Sequence, residues 1–186
     1  IGQASQTIYI ENQYLTSQVI VDALARKLIV FNGPLITFIM PYEYGGGFER
    51  YGIAYLRNKA LKRLRQFDLN KRFGAYCPNG SSPLVGKKKV HAKVLIVDDE
   101  FLCVGSANMT LRSFRLDSEY NVSLRAEGQQ RIRRFIAETR ERLRSRQVNI
   151  VPAPIHEDRQ HWYNRMIANL AERDSPLFSK FRMLSP

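Results

Sequence analysis

The segment TIYIENQYL alternates β-forming residues before a turn, and SQVIVDALARKLIVF then sets Ile20, Ala23, Leu24, Lys27 and Leu28 on an approximate helical stripe. Strand, turn and helix are predicted in that order. GPLITFIMP, residues 33–41, is a short apolar run bounded by turn residues, as expected of a buried strand in an α/β sheet. Three glycines, Gly45 to Gly47, predict a mobile loop at the sheet edge. Tyr51, Tyr55, Leu56, Lys59 and Arg63 then begin a long amphipathic helix running to about Phe67. FGAYCPNGSSPLVGKKK combines a short strand with a wide loop placed to cover a site. In SEYNVSL, Tyr120, Val122 and Leu124 alternate with polar residues, and the following helix carries Ile132, Phe135, Ile136, Thr139 and Leu143 on one face opposite a strongly basic one. Residues 151–186 form a Pro-punctuated connector and a short helix whose aromatics predict packing against the body or a partner.

One strand departs from this pattern. VHAKVLIVDDEFLCVGSAN, residues 90–108, places a histidine and a lysine at the start of an apolar run. As a strand over 90–97, it puts His91, Lys93, Leu95 and Val97 on one face. DDE at 98–100 is a polar turn, and a hairpin centred between Asp99 and Glu100 pairs residues whose numbers sum to about 199. Asn108 then lies opposite His91, and Ser106 opposite Lys93. Imidazole, ammonium, hydroxyl and carboxamide therefore converge, while Gly105 lets a ligand or a neighbouring backbone approach closely.

Such a set suits phosphodiester chemistry without a metal. Imidazole can attack phosphorus or protonate a leaving oxygen near neutral pH, and lysine and the asparagine amide donate to nonbridging oxygens as charge builds. A carboxylate must hold the imidazole tautomer, and Glu119 is the best-placed candidate. Asp98, inside the turn, completes the set in a position suited more to structure than to chemistry.

Composition sharpens the partner. The 186 residues carry 29 Lys+Arg against 17 Asp+Glu, a net charge of +12, which attracts phosphate-bearing or otherwise anionic partners. No apolar run reaches the roughly 18–20 residues needed to cross a bilayer. Cys77 and Cys103 are too few for a disulfide framework and are expected to be reduced, structural thiols. The chain opens at Ile1 almost directly into a strand, which predicts a fragment of something longer.

The succession His91, one residue, Lys93, four residues, Asp98, six residues, then GSAN resembles the HKD signature of the phospholipase D superfamily. IENQY, residues 10–14, resembles the segment preceding the second HKD motif of two-motif phospholipases D, and RSFRLDSEYNV after the signature is similar too, with Glu119 where the family has its histidine-orienting acid. The resemblance implies an α/β fold with a mixed β-sheet flanked by α-helices, one catalytic lobe over residues 1–150 and a helical extension over 151–186. It also implies catalysis through a phosphohistidine, with no metal or other cofactor. Glu11, Asn12 and Gln13 become candidates for binding phosphate, water or headgroup, with Gly105 beside them, and Arg112 and Ser113 for supporting the site from behind.

Family members use two histidines, one as nucleophile and one as acid, yet residues 1–89 contain none, and His156 and His161 lack the accompanying pattern. The second is expected from a preceding half, which IENQY favours, or from a second copy across a two-fold axis. In the first case His91 is the proton donor; in a homodimer either copy plays either part. Phospholipid is the expected substrate, with basic helices against an anionic membrane surface. Nucleic acid is the alternative, but the Arg-rich runs at 57–65 and 131–146 fall on helices and lack regular aromatic interleaving. An isolated half that only binds or assembles is the third reading.

Overall fold

The computed structural model of the chain describes residues 1–42, 48–78, 90–146 and 150–152. Its elements are β1 (Thr7–Asn12), α1 (Gln18–Ile29), β2 (Leu35–Ile39), α2 (Phe48–Phe67), β3 (Phe73–Pro78), β4 (Lys93–Val97), β5 (Phe101–Gly105), α3 (Leu111–Arg115), β6 (Asn121–Arg125), α4 (Gln130–Arg146) and β7 (Ile150–Pro152). Seven strands form one sheet in the order β6-β5-β4-β1-β2-β3-β7. β1, β2 and β3 run parallel through the crossover helices α1 and α2, and every other pairing is antiparallel. The expected mixed α/β sheet is what forms.

Alternation along β1 sorts the core into two layers. Ile8 and Ile10 face α1 and α2, packing with Leu24, Leu28, Phe38, Leu61 and Leu64. Tyr9 faces the other way, into a layer with Ile39, Val94, Ile96 and Ile136 of α4. Cys77 is buried and Cys103 half-buried, both as free thiols; burial pushes the Cys77 thiol up to about 11.

Several expectations need correction. β4 begins at Lys93, not at Val90, and the β4–β5 register aligns Val94 with Val104 and Val97 with Phe101, each pair summing to 198. The turn has three residues because Asp98 and Asp99 adopt left-handed backbone, φ 53° and 57°, which a strand cannot accommodate. Continuing that register sets Gly105, rather than Ser106, opposite Lys93. The short helix α3 and the edge strand β7 were not signalled by periodicity; five and three residues are too few to display one. Tyr120 and Val122 are exposed although they alternate, because β6 is the sheet's edge. α4 also reaches back to the β4–β5 turn, where Arg133 pairs with Glu100 and Arg140 with Asp99, while Arg142 pairs with Glu138 and Arg144 with Glu141 along the helix. The glycine loop at 45–47 and everything after Pro152 lie outside the described residues, and β7 carries the sheet two residues past the expected lobe boundary.

Candidate functional site

The carboxyl ends of β1 and β2 and the amino end of β4 meet at one end of the sheet, where open α/β sheets place their ligands. Asn12 aligns with Lys93 across the β1–β4 ladder, so these side chains share the face toward α1. Lys93 is only 8% exposed. Its ammonium donates to the His91 carbonyl at 2.7 Å and to Gln13 Oε1 at 3.4 Å. Burial lowers the Lys93 pKa, and the negative charge of Glu119 works against that shift. His91, just before β4, is exposed. The Lys93 cation is thus held against the backbone of an exposed histidine, and a buried cation at a strand end is a donor suited to a phosphoryl group.

The GSAN loop is fastened from two sides. Ser106 donates from Oγ to Glu119 Oε2 at 2.5 Å, accepts from the Tyr120 amide at 2.9 Å, and donates its own amide to the Tyr120 carbonyl at 2.9 Å. From the other side, Asn12 Oδ1 accepts from Tyr14 N at 3.1 Å and from Met109 N at 3.2 Å, while Asn12 Nδ2 donates to the Ala107 carbonyl at 3.4 Å. The Met109 carbonyl accepts from the amides of Thr16 and Ser17, drawing the start of α1 into the same joint. Asn108 rides on this loop, and its buried Oδ1 has no hydrogen-bond partner among the described residues.

His91, Lys93, Gln13, Ser106, Glu119 and Asn108 thus belong to one end of the fold, and four other candidates behave differently. Asp98 lies at the far end of β4. Its carboxylate accepts from Ser5 N at 2.6 Å, Ser5 Oγ at 3.0 Å, Gln6 N at 2.8 Å and Thr7 N at 2.7 Å, pinning the entry to β1. Burial alone would raise its pKa; these hydrogen bonds outweigh burial and hold it below the ordinary carboxylate value. Glu11 points to the face opposite Lys93 and accepts from the Tyr9 hydroxyl at 2.5 Å, inside the layer under α4. Asn12 is 2% exposed, with its amide engaged by backbone, so it builds the loop. Gly105 admits protein: a Cβ there would lie 2.0 Å from Asn121 Oδ1 and 2.4 Å from the Tyr120 carbonyl.

Glu119 Oε2 accepts from Ser106 Oγ, which ties this carboxylate to the GSAN loop, and its negative charge acts through space on Lys93. Arg112 is spent on Asp117 at 2.9 Å, and Ser113 is buried beneath the Thr110 cap of α3. Sequence reasoning missed Asn121, which fills the space above Gly105 and accepts from Ala107 N at 3.4 Å, and the Tyr120 and Met109 backbones. Only the glycine hinted at such a neighbour.

Residues 1–144 match the family described as cardiolipin synthase, PLD-like domain. The chain is 30% identical to cardiolipin synthase 2 of Staphylococcus epidermidis over 129 residues, 69% of this chain and 23% of that protein, so it spans about a quarter of that relative's length. Among solved structures, phosphatidylserine synthase of Haemophilus influenzae superposes with a TM-score of 0.63 at 17% identity, covering 91% of this chain and 40% of that one. NucT of Helicobacter pylori does so with 0.56 at 18% identity, covering 81% and 84%. At these identities the two structures speak for the fold.

Proposed function

Because the chain belongs to the phospholipase D superfamily, we propose that it is one catalytic lobe of a phosphodiesterase or phosphatidyltransferase acting on phospholipids. The observation that carries this reading is the buried Lys93 ammonium bonded to the His91 carbonyl and to Gln13, at the strand end where His91 is exposed. Lys93 donates to nonbridging phosphoryl oxygens, and Asn108 supplies amide donors from the GSAN loop. One histidine attacks phosphorus, forming a P–N bond as the P–O bond to the leaving alcohol breaks; a second histidine gives that oxygen its proton. Water or another alcohol then attacks phosphorus, the P–N bond breaks, and the second histidine takes back a proton.

His91 supplies one of these imidazoles, and the other comes from a second lobe, either a preceding half of the same polypeptide or another copy of this chain. Glu119, whose Oε2 accepts from Ser106 Oγ, keeps its second carboxylate oxygen for the His91 ring and is the acid assigned to set the His91 tautomer. With a preceding half, His91 is the proton donor. Association with an anionic bilayer belongs to the same proposal; no helix among the described residues is long and apolar enough to cross one.

The test compares short-chain phosphatidylglycerol with single-stranded DNA as substrates for the assembled protein in EDTA. Turnover of the lipid, abolished in His91→Ala, is expected. Cleavage of DNA alone would assign the lobe to nucleases, and EDTA-sensitive turnover would remove the metal-free mechanism.

A further inference from the structure

At the end of the sheet opposite the site, two loops form a second feature. The end of α1 and its connection to β2 expose Ile29 (58%), Val30 (52%) and Phe31 (82%), and the α2–β3 connection exposes Leu69 (84%). Lone exposed apolar residues are ordinary, but four on adjoining loops are not. Arg72 joins the loops, donating from Nη2 to the Leu28 carbonyl at 2.9 Å and also to the Val30 carbonyl, while its own carbonyl accepts from Ile36 N at 2.7 Å. Asp68 accepts from the amides of Arg72 and Phe73 at 2.7 and 2.9 Å, closing the second loop on itself. Gly33 is required where the loops touch, since a Cβ there would lie 2.3 Å from the Lys27 carbonyl and 2.5 Å from Arg72 Nη1.

Cations rim this tip: Arg26 and Lys27 in the last turn of α1, Arg65 in the last turn of α2, and Lys71. None of the four has an ion-pair partner among the described residues, whereas Arg133, Arg140, Arg142 and Arg144 of α4 are paired. Like charge on both sides would oppose a second copy of the same tip, whereas an anionic surface satisfies the charge and the apolar side chains together. We propose that this clamped loop pair is the surface by which the lobe docks on an anionic lipid bilayer, Phe31 and Leu69 entering the headgroup–acyl boundary and Arg26, Lys27, Arg65 and Lys71 contacting lipid phosphates. The proposal rests on the phospholipid reading above and names the surface that reading needs. The six residues of β1 separate tip from site by about 20 Å, so a lobe lying with its strands along the surface brings both ends to it.

Sedimentation of the full chain with vesicles of equal phosphatidylglycerol and phosphatidylcholine, and of phosphatidylcholine alone, tests the proposal. The chain is expected to sediment with the anionic vesicles only, and to be released by salt. Phe31→Ser/Leu69→Ser is expected to weaken partitioning roughly 10- to 100-fold, and Arg26→Glu/Lys71→Glu at least about 10-fold. Both pairs change exposed side chains remote from the site, so thermal unfolding and the hydrolysis of a water-soluble phosphodiester should be unaltered. His91→Ala should sediment like the parent, which separates a failure of the chemistry from a failure of docking. Unchanged vesicle binding by Phe31→Ser/Leu69→Ser overturns the proposal; if that variant also loses a concentration-dependent oligomer in analytical ultracentrifugation, the tip belongs to a protein contact.

Discussion

Replacing Asp98 with glycine separates architecture from chemistry within the HKD signature. The carboxylate accepts four hydrogen bonds, from three consecutive backbone amides and one hydroxyl, all at the entry to β1. A hydrogen bond to a charged group contributes about 1.5–3 kcal/mol, but the amides of Ser5 and Gln6 are exposed enough for water to replace most of it. The part-buried bond to Thr7 counts nearly in full, so the total loss is about 3 kcal/mol, or about 6–12 °C in Tm for a chain of this size. Glycine sheds the left-handed backbone cost that the aspartate already carries at φ 53°, which offsets part of the loss, so Asp98→Ala, which keeps a Cβ there, is the companion variant that reads the lost acceptors more directly. The same contact sets a pH dependence. The folded-state pKa is depressed, so the stabilisation is fully present above the unfolded value of about 3.9 and is lost as pH falls through the lower folded value. Thermal melts of parent and Asp98→Gly should therefore converge in acid. Turnover by the assembled protein, measured well below the melting range, should be preserved. An unshifted Tm together with lost turnover would refute the structural assignment and return Asp98 to the chemistry.

Lys93→Met replaces a buried ammonium with a similar apolar stem. Turnover should fall about 100-fold or more, matching about 3 kcal/mol of lost transition-state stabilisation, while the Tm moves by only a few degrees in steady-state assays and melts. Asn12→Ala leaves the Tyr14 and Met109 amides without their acceptor and should cost about 2–3 kcal/mol in denaturant unfolding, with turnover reduced through displacement of the GSAN loop. Gly105→Ala forces a methyl onto the Tyr120 carbonyl and Asn121. It should destabilise by about 2–3 kcal/mol, and adding Asn121→Ala should recover only part of that loss, because the backbone carbonyl stays in place.

The parts of this molecule most legible in the sequence are those written in long periodic segments. α1, α2 and α4 follow from helical stripes because each buries one face against the sheet, and β1 and β2 from short β-forming runs whose two faces are both covered. The grouping of His91 with Lys93 was legible from spacing alone. What alternation could not supply was the register: a three-residue DDE turn centres the hairpin on Asp99 rather than between Asp99 and Glu100, and every pairing shifts by one. The separation of Glu11 from Asn12 was legible in principle, since adjacent strand residues face opposite ways, but the polar string ENQ reads as one cluster unless the pleat is applied to it. The roles of Asn12 and Gly105 depend on partners almost a hundred and about sixteen residues away, and no local pattern encodes those contacts.

The claim on which the rest depends is that this lobe carries one of two imidazoles needed at a single phosphorus. Sedimentation velocity with phosphodiesterase activity measured across the boundary, in EDTA, tests it directly. Activity confined to species in which a second histidine-bearing lobe is joined to this one is the expected result; full, His91-dependent turnover migrating with the single chain would contradict it.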